Sequence, residues 1–259
     1  MNDAPRKLRR LMLPAALLLA CSTPAFAQTA PPGQEVTAEA RAVLDRMTTY
    51  MKGLQAYTIQ AHGTRDEVID HGYKLQHNES ASLKVQRPNK MRAEVSGDLR
   101  NREFVYDGAT ITIDSPDDNV YATAPATDNL GTLIGDLLDR GVELPLIDVL
   151  YQATAGTLLE NVRTGQLVGD AEVEGVACDH LAFRQTDADW QLWVEKGDRP
   201  LPRKIVITTR NEVGDPQFSS VLTWNTQPKF TKDSFVFVPD KDAHKVSFVE
   251  PQAYAAGEK

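Results

Sequence analysis

The chain has 259 residues, with 28 Lys and Arg against 36 Asp and Glu and a formal net charge of −8 at pH 7. This length permits one large β domain or two small ones, with ample chain for a sizeable core. The acidic balance excludes the basic surface that nucleic acids and anionic lipid surfaces select, so we expect no nucleic-acid partner.

Residues 1–27 follow the order of a secretory signal peptide: a basic start, an apolar run over residues 11–20, and the triplet Ala25-Phe26-Ala27. We therefore predict export to the periplasm and cleavage after Ala27. The run is far shorter than the roughly 20 residues that cross a bilayer, which argues against an integral membrane protein. The run also ends in a lipobox-like Leu-Leu-Ala-Cys, so a lipoprotein anchored through Cys21 is the alternative.

A flexible leader over residues 28–35 contains two prolines and a glycine, and a helix follows it. Thr37 is placed to cap this helix and Gly53 stands near its end, which predicts a helix over residues 38–53. Its apolar residues recur at helical spacing and form a stripe that must lie against another element. The stripe consists of Ala40, Val43, Leu44, Met47, Tyr50, Met51 and Leu54.

After the helix, apolar residues alternate with polar ones, and turn residues separate the alternating segments. This pattern predicts an antiparallel meander, with Asp107-Gly108 as a strong hairpin signal. The predicted strands are residues 57–61, 73–85, 91–95, 104–106, 110–114, 120–123, 166–173, 178–184, 190–194, 203–209 and 217–224. Phe235, Phe237 and residues 246–249 are predicted as edge strands.

Residues 125–151 interrupt the strands with two apolar helical stripes, one stopped by Gly141 and one following Pro145. These stripes carry more apolar surface than two short helices need for themselves, so we predict that they bind a ligand. The alternative is that they fill the barrel and make its core solid. The predicted ligand-binding residues are Leu130, Leu133, Ile134, Leu137, Leu138, Leu146, Ile147 and Leu150, with Val149 beside them.

These elements predict a mainly β (α+β) fold. A sheet of this many strands twists and curls, so we expect a curved antiparallel sheet forming a half-barrel. The N-terminal helix and the mid-chain helical insertion would cover its concave face. We predict one domain over residues 36–249 and a C-terminal tail over residues 250–259.

The segment Asp189-Trp190-Gln191-Leu192-Trp193-Val194-Glu195 and residues 197–205 resemble a hairpin of an uncharacterised domain-of-unknown-function family of predicted periplasmic proteins. Residues 88–97, 106–108, 120–122 and 141–145 resemble further parts of that family, and the likeness covers most of residues 36–249. The family is similar in fold to lipoprotein carriers of the LolA/LolB type, and relatives of that fold bind acyl chains or sense lipoproteins. The resemblance implies the fold, and no ligand-binding residue is carried over.

Several groups of polar residues are candidates for catalytic or metal sites. Cys178 and His180 share one strand face, as a nucleophile and its base would, but no nucleophile turn accompanies them. A buried thiol beside a hydrogen-bonded histidine is favoured. His62, His71 and His77 with nearby acids match no metal-ligand spacing, so solvated loop residues are favoured.

The acidic run Asp114, Asp117, Asp118 and Asn119 lacks the calcium-loop spacing and is read as a turn. The acidic residues near His62, His71 and His77 are Asp66, Glu67 and Asp70. Trp190 and Trp193 are predicted on opposite faces of one strand, and residues 197–202 are predicted as a rigid hairpin loop. We expect no cofactor and no metal.

These observations leave three functions open. The first is an exported periplasmic binding protein for an acyl chain, lipid or lipoprotein. The second is an envelope sensor or assembly factor that acts through contacts with an envelope protein partner. The third is a hydrolase or thiol enzyme, for which the sequence carries no recognisable motif.

Overall fold

The computed structural model describes residues 35–140, 142 and 145–247. The predicted signal peptide, Cys21, most of the leader and residues 248–259 lie outside this part. Three helices are present in the described chain: α1 (Ala38–Gly53), α2 (Leu130–Asp139) and α3 (Pro145–Ala155). No helix of the described chain is long and apolar enough to cross a membrane.

The strands form one curved, unclosed sheet of 13 strands, which confirms the predicted half-barrel and α+β class. The strands are β1 (Glu35–Val36), β2 (Ala56–Val68), β3 (Lys74–Gln86), β4 (Lys90–Gly97), β5 (Arg102–Tyr106), β6 (Thr110–Ser115), β7 (Val120–Pro125), β8 (Thr164–Val173), β9 (Val176–Arg184), β10 (Ala188–Glu195), β11 (Pro202–Thr209), β12 (Gln217–Asn225) and β13 (His244–Lys245). Their spatial order in the sheet is β1-β8-β9-β10-β11-β12-β2-β3-β4-β5-β6-β7-β13.

The meander follows from alternation and turn chemistry. Neighbouring strands from β8 to β12 and from β2 to β7 pair antiparallel, and only the edge strands β1 and β13 pair parallel in the described chain. The β5–β6 hairpin turns where the sequence predicts it: Asp107 Oδ1 accepts hydrogen bonds from the backbone N–H of Ala109 (2.9 Å) and Thr110 (2.8 Å). These bonds stabilise the ionised carboxylate, and the net effect is an Asp107 pKa below its usual value although burial opposes it.

The three helices lie on one face of the sheet, and the core lies between them. Thr37 Oγ1 accepts a hydrogen bond from Ala40 N (3.3 Å), which fixes the start of α1 as predicted. Along α1 the buried stripe contains Val43, Leu44 and Met47. The strand residues that alternate toward the helices complete one continuous apolar cluster.

The chain after β12 covers part of the opposite face. Phe235 is buried, Arg92 Nη1 donates to the backbone oxygen of Val236 (3.2 Å), and the Phe237 ring lies 5.2 Å from that of Tyr121. The prediction of edge strands at Phe235 and Phe237 is therefore wrong. Both residues lie in irregular chain that packs onto the sheet through side chains, whereas the edge pairing with β7 is made further on, by β13.

Two boundaries also differ from prediction. Glu35, assigned to the leader, is already in β1, because its N–H donates to the Arg163 oxygen (2.7 Å) beside β8. Helix α3 continues to Ala155, four residues beyond the predicted end of the insertion, because no breaker intervenes before Gly156. The assignment of residues 36–249 to one domain stays a prediction.

Candidate functional site

A cavity of about 560 Å³ lies between the insertion helices and the sheet. This volume is in the range of small-molecule sites, roughly 300–1,000 Å³. Most of its lining is apolar, which suits an apolar ligand. The apolar and aromatic lining residues are Tyr57, Leu83, Val85, Pro88, Met91, Leu130, Ile134, Ile147, Leu150, Tyr151 and Ala155.

The sheet wall of the cavity is a row of cross-strand neighbours. Tyr57 on β2 pairs with Val85 on β3, and Val85 pairs with Met91 on β4. Directly paired side chains stand on the same face of a sheet, so these three residues form a continuous apolar surface. All three are at least 92% buried, and Tyr57 also packs on Trp224 with ring centroids 5.4 Å apart.

The helical wall is fixed at the start of α2. Asn129 Oδ1 accepts hydrogen bonds from Gly131 N (2.9 Å) and Thr132 N (3.2 Å), and Leu130 N donates to the Pro88 oxygen (2.9 Å). The bond from Leu130 to Pro88 ties α2 to the turn between β3 and β4. The insertion is therefore anchored at one end of the sheet wall.

The two insertion helices approach each other closely through a glycine face. A Cβ added at Gly135 would lie 3.2 Å from Tyr151 Oη, and one added at Gly131 would lie 3.8 Å from Tyr151 Cε2. Tyr151 on α3 therefore packs where α2 has no side chains. Because Tyr151 also lines the cavity, this packing helps to shape the cavity wall.

Polar lining is limited to Gln55, Arg87, Asn129 and Thr154, besides the two tyrosine hydroxyls. The Arg87 guanidinium lies close enough to the Tyr57 hydroxyl to influence its pKa. Burial raises the pKa of Tyr57, and Arg87 lowers it by less, so the phenol is neutral at physiological pH. The cavity thus combines an apolar body with one cationic side chain.

The structure separates the predicted ligand-binding residues into three groups. Leu130, Ile134, Ile147 and Leu150 line the cavity. Leu133 and Leu137 are buried in the core outside the lining, and Leu138 packs half-buried against that core. The side chain of Leu146 lies outside the described part, as does that of Val149.

Sequence reasoning missed the sheet wall and the polar lining. Tyr57, Leu83, Val85 and Met91 were recognised as strand residues, but alternation cannot tell which stretch of a core face borders a cavity. Arg87 gave one signal: it follows the apolar alternation of β3 and directly precedes the turn at Pro88.

Cys178 and His180 share the sheet face opposite the helices, but they do not form a nucleophile and base. The Cys178 thiol is fully buried and contacts the Val176 oxygen (3.3 Å), and burial is the main cause that raises its pKa. His180 Nε2 instead lies 3.0 Å from Gln191 Oε1, and its ring stacks on Trp193 at 4.1 Å. Neither contact activates the thiol.

The predicted opposite orientation of the two tryptophans is confirmed. Trp190 is buried against Phe183 on the helix side, with ring centroids 4.0 Å apart. Trp193 lies on the other side, where Lys204 Nζ stands 4.9 Å from its ring centroid. The predicted hairpin loop joins β10 and β11, but it spans residues 196–201, because Pro202 is already in β11.

The acidic and histidine clusters make local contacts. The prediction of loop positions is wrong for most of the histidine group, because His62, Asp66 and Glu67 lie on β2 and His77 lies on β3. Asp117 accepts hydrogen bonds from Asn101 N (2.6 Å) and Nδ2 (2.7 Å), and Asp118 accepts one from Ser115 Oγ (2.6 Å). His77 Nε2 lies 2.9 Å from Glu67 Oε2. In the described chain no three His, Cys, Asp or Glu side chains converge as metal ligands would.

A second, larger cavity of about 750 Å³ lies at the sheet edge beside β1 and the start of α1. Of its three charged lining residues, Arg184 and Asp189 bind each other through two hydrogen bonds of 2.8 and 2.6 Å, and Glu35 is the third. The lining also holds the polar residues Thr37, Thr164, Gln166 and Gln191, so this cavity is more polar than the one under the insertion helices. The cavity under the insertion helices is therefore the better candidate site.

The family model described as "Predicted periplasmic protein (DUF2092)" matches residues 40–249. The chain belongs to this family. The prediction made from the hairpin and insertion motifs is thereby confirmed, and with it the periplasmic location. The comparison with curated proteins gives no match.

Several solved structures are similar to this chain. One is an uncharacterized conserved protein from Thermus thermophilus, which is 14% identical in sequence and has a TM-score of 0.46; the likeness covers 81% of this chain and 99% of that one. LprF from Mycobacterium bovis is 11% identical with a TM-score of 0.46, and the likeness covers 80% of this chain and 99% of LprF. A LolA superfamily protein from Nitrosomonas europaea is similar at 10% identity, TM-score 0.34, and coverage of 76% and 97%.

Proposed function

We propose that the protein binds the acyl chain of a lipid or lipoprotein in the cavity between β2–β4 and the insertion helices. The observation that carries this proposal is the cavity itself: about 560 Å³ of space with a mainly apolar lining that the core side chains leave unfilled. A solid core, the alternative expected from the sequence, would have closed this space. An apolar cavity of this size favours an apolar ligand.

The energetics suit an alkyl chain. Burying alkyl surface yields about 0.8 kcal/mol per methylene, so a chain that is only partly enclosed still binds usefully. In the periplasm an acyl chain needs a binding protein, because acyl chains are poorly soluble in an aqueous compartment. The ligand and the location support each other.

Helices α2 and α3 would act as a lid over the ligand. They pack on each other through Gly131, Gly135 and Tyr151, and α2 is tied to the sheet by the bond from Leu130 N to the Pro88 oxygen. An element anchored at one end can part from the sheet and return as one piece. We infer that an acyl chain enters by separating this helix pair from the sheet wall.

A second candidate, an envelope factor acting through protein contacts, is favoured by one feature. Four large apolar side chains are exposed at the ends of two adjacent hairpins: Ile69, Tyr73, Leu75 and Val213. Tyr73 is 67% and Val213 is 74% exposed, and Val213 Cγ1 would lie 3.9 Å from a Cβ at Gly72. Exposed apolar clusters mark interaction surfaces.

Titration of delipidated protein with the fluorescent fatty acid cis-parinaric acid tests the proposal. If the protein binds acyl chains, the probe should bind saturably at one site per protein chain, and non-fluorescent fatty acid should displace it. Denatured protein is the control for nonspecific partitioning. Absence of saturable binding to the fatty acid and to lipopeptides would end the carrier proposal and leave the protein-contact function.

A further inference from the structure

Arg87 is the one charged side chain among the described residues that line the cavity. It directly follows β3, is half-buried, and its backbone N–H donates to the Gln55 oxygen (2.8 Å). No Asp or Glu lines the cavity with it. Its backbone is held by the sheet while its charge faces an apolar space.

The side chain that lies near the Arg87 charge is neutral. Burial raises the pKa of Tyr57 by more than the Arg87 charge lowers it, so the Tyr57 hydroxyl stays protonated. No carboxylate of the described chain pairs with Arg87, although Arg46, Arg92, Arg184 and Arg203 each pair with one. A cation beside apolar surface without an anion is poorly compensated and favours an anionic partner.

Several other polar atoms of the lining already have partners within the protein. Asn129 Oδ1 caps α2, and Thr154 Oγ1 donates toward the oxygens of Leu150 (3.2 Å) and Tyr151 (3.0 Å). Gln55 Nε2 reaches the Gly53 oxygen at 3.5 Å. Arg87 brings five N–H donors and the one positive charge of the described lining, so it is the lining residue best suited to bind an anionic end of a ligand.

We propose that the cavity selects anionic amphiphiles, with Arg87 binding the carboxylate or phosphate head group while the alkyl chain fills the apolar space. This inference rests on the proposed function and adds the class of ligand. A guanidinium presents a planar pair of donors that matches both head groups. With its single charge beside the Pro88 turn, the cavity orients the ligand with its head at the end where α2 is anchored to the sheet.

The test compares cis-parinaric acid with its methyl ester, which has the same chain and no charge, on wild type, Arg87→Gln and Arg87→Lys. Wild type should bind the acid about tenfold or more tightly than the ester, since hydrogen bonds to charged groups are worth that much. Arg87→Gln should bind acid and ester equally, and Arg87→Lys should keep part of the preference.

Lys84→Gln is the matched control, because it removes one charge from β3, the strand that Arg87 follows, on the face away from the helices. It should keep the full preference for the acid. Tetradecanoate and tetradecyl phosphate should both displace the probe more strongly than tetradecanol, and whichever displaces better identifies the head group. Inorganic phosphate should not displace it; displacement would show an anion site independent of the chain and overturn the proposal.

The outcomes separate this inference from the proposed function. If wild type binds neither acid nor ester, and no lipopeptide either, the acyl-chain function itself fails. If both bind equally, or if Arg87→Gln keeps the preference, the acyl-chain function stands and Arg87 is not the head-group residue. Because the acid-to-ester ratio is measured on wild type as well, the test holds even if a variant does not fold.

Discussion

Ile134 and Leu137, about one turn apart on α2, allow a cavity-wall position to be compared with a core position. Ile134 is 6% exposed and lines the cavity, whereas Leu137 is 3% exposed and packs in the core outside the lining. Truncating either to alanine should lower the free energy of unfolding of the ligand-free protein by about 2–5 kcal/mol, as expected for large buried side chains. Stability alone therefore cannot tell the two positions apart.

Ligand affinity should tell them apart. Ile134→Ala removes wall surface that would cover about one or two ligand methylenes, which corresponds to about 1 kcal/mol and about fivefold weaker binding. Leu137→Ala leaves the wall in place, so its affinity for cis-parinaric acid should stay within about twofold of wild type. Trp193→Ala, on the opposite face, should leave affinity unchanged.

The assay is a fluorescence titration at a temperature where urea unfolding shows each variant to be folded. Equal weakening in Ile134→Ala and Leu137→Ala would mean that binding follows global stability rather than the cavity. Unchanged affinity in Ile134→Ala would mean that the ligand lies elsewhere. Either result would refute the placement of the acyl chain between α2 and the sheet.

A thiol reagent should label Cys178 slowly in native protein even near about pH 8.5, where free thiols react, because burial raises its pKa; rapid native labelling would contradict its burial. Burial and Asp240 raise the pKa of Asp114, so ionising it costs stability as the pH rises above the unfolded value. Asp114→Asn should therefore be more stable than wild type to urea at neutral pH and equal to it below about pH 3, and an equal difference at both pH values would contradict this. Gly63→Ala should lower the free energy of unfolding by about 1–3 kcal/mol or more, because its Cβ would lie 2.0 Å from the Ser219 oxygen on the paired strand. Gly53→Ala, with no atom within 4 Å of the new Cβ, should be neutral or gain up to about 1 kcal/mol, and equal losses at both glycines in urea unfolding would argue against this strand pairing.

Local patterns were sufficient for the architecture. The change of hydrophobic period after Gly53 and again near residue 125 placed α1 and the insertion, and Asp107-Gly108 placed a hairpin. These signals work because helix and strand periodicity and turn chemistry are properties of neighbouring residues. The strand prediction at Phe235 was wrong because Phe235 is apolar in order to pack onto the sheet from irregular chain, and such packing imposes no period on the sequence.

The candidate site could be predicted only on its helical side. Leu130, Ile134, Ile147 and Leu150 lie on an apolar stripe that exceeds what short helices need, and this excess is visible in the sequence. Tyr57 and Met91, which face them, lie far from them along the chain and look like ordinary strand residues. Which core positions border empty space depends on how distant elements fit, and alternation does not encode that fit.

Photoaffinity labelling with a diazirine-bearing fatty acid shows directly where the bound acyl chain lies. We expect labelling of up to one site per protein chain, competed by unlabelled fatty acid, with mass-spectrometric adducts on the cavity walls at Tyr57, Met91, Ile134 or Leu150. Adducts at the exposed hairpin ends around Tyr73 and Val213, or labelling that unlabelled fatty acid does not compete, would contradict this expectation.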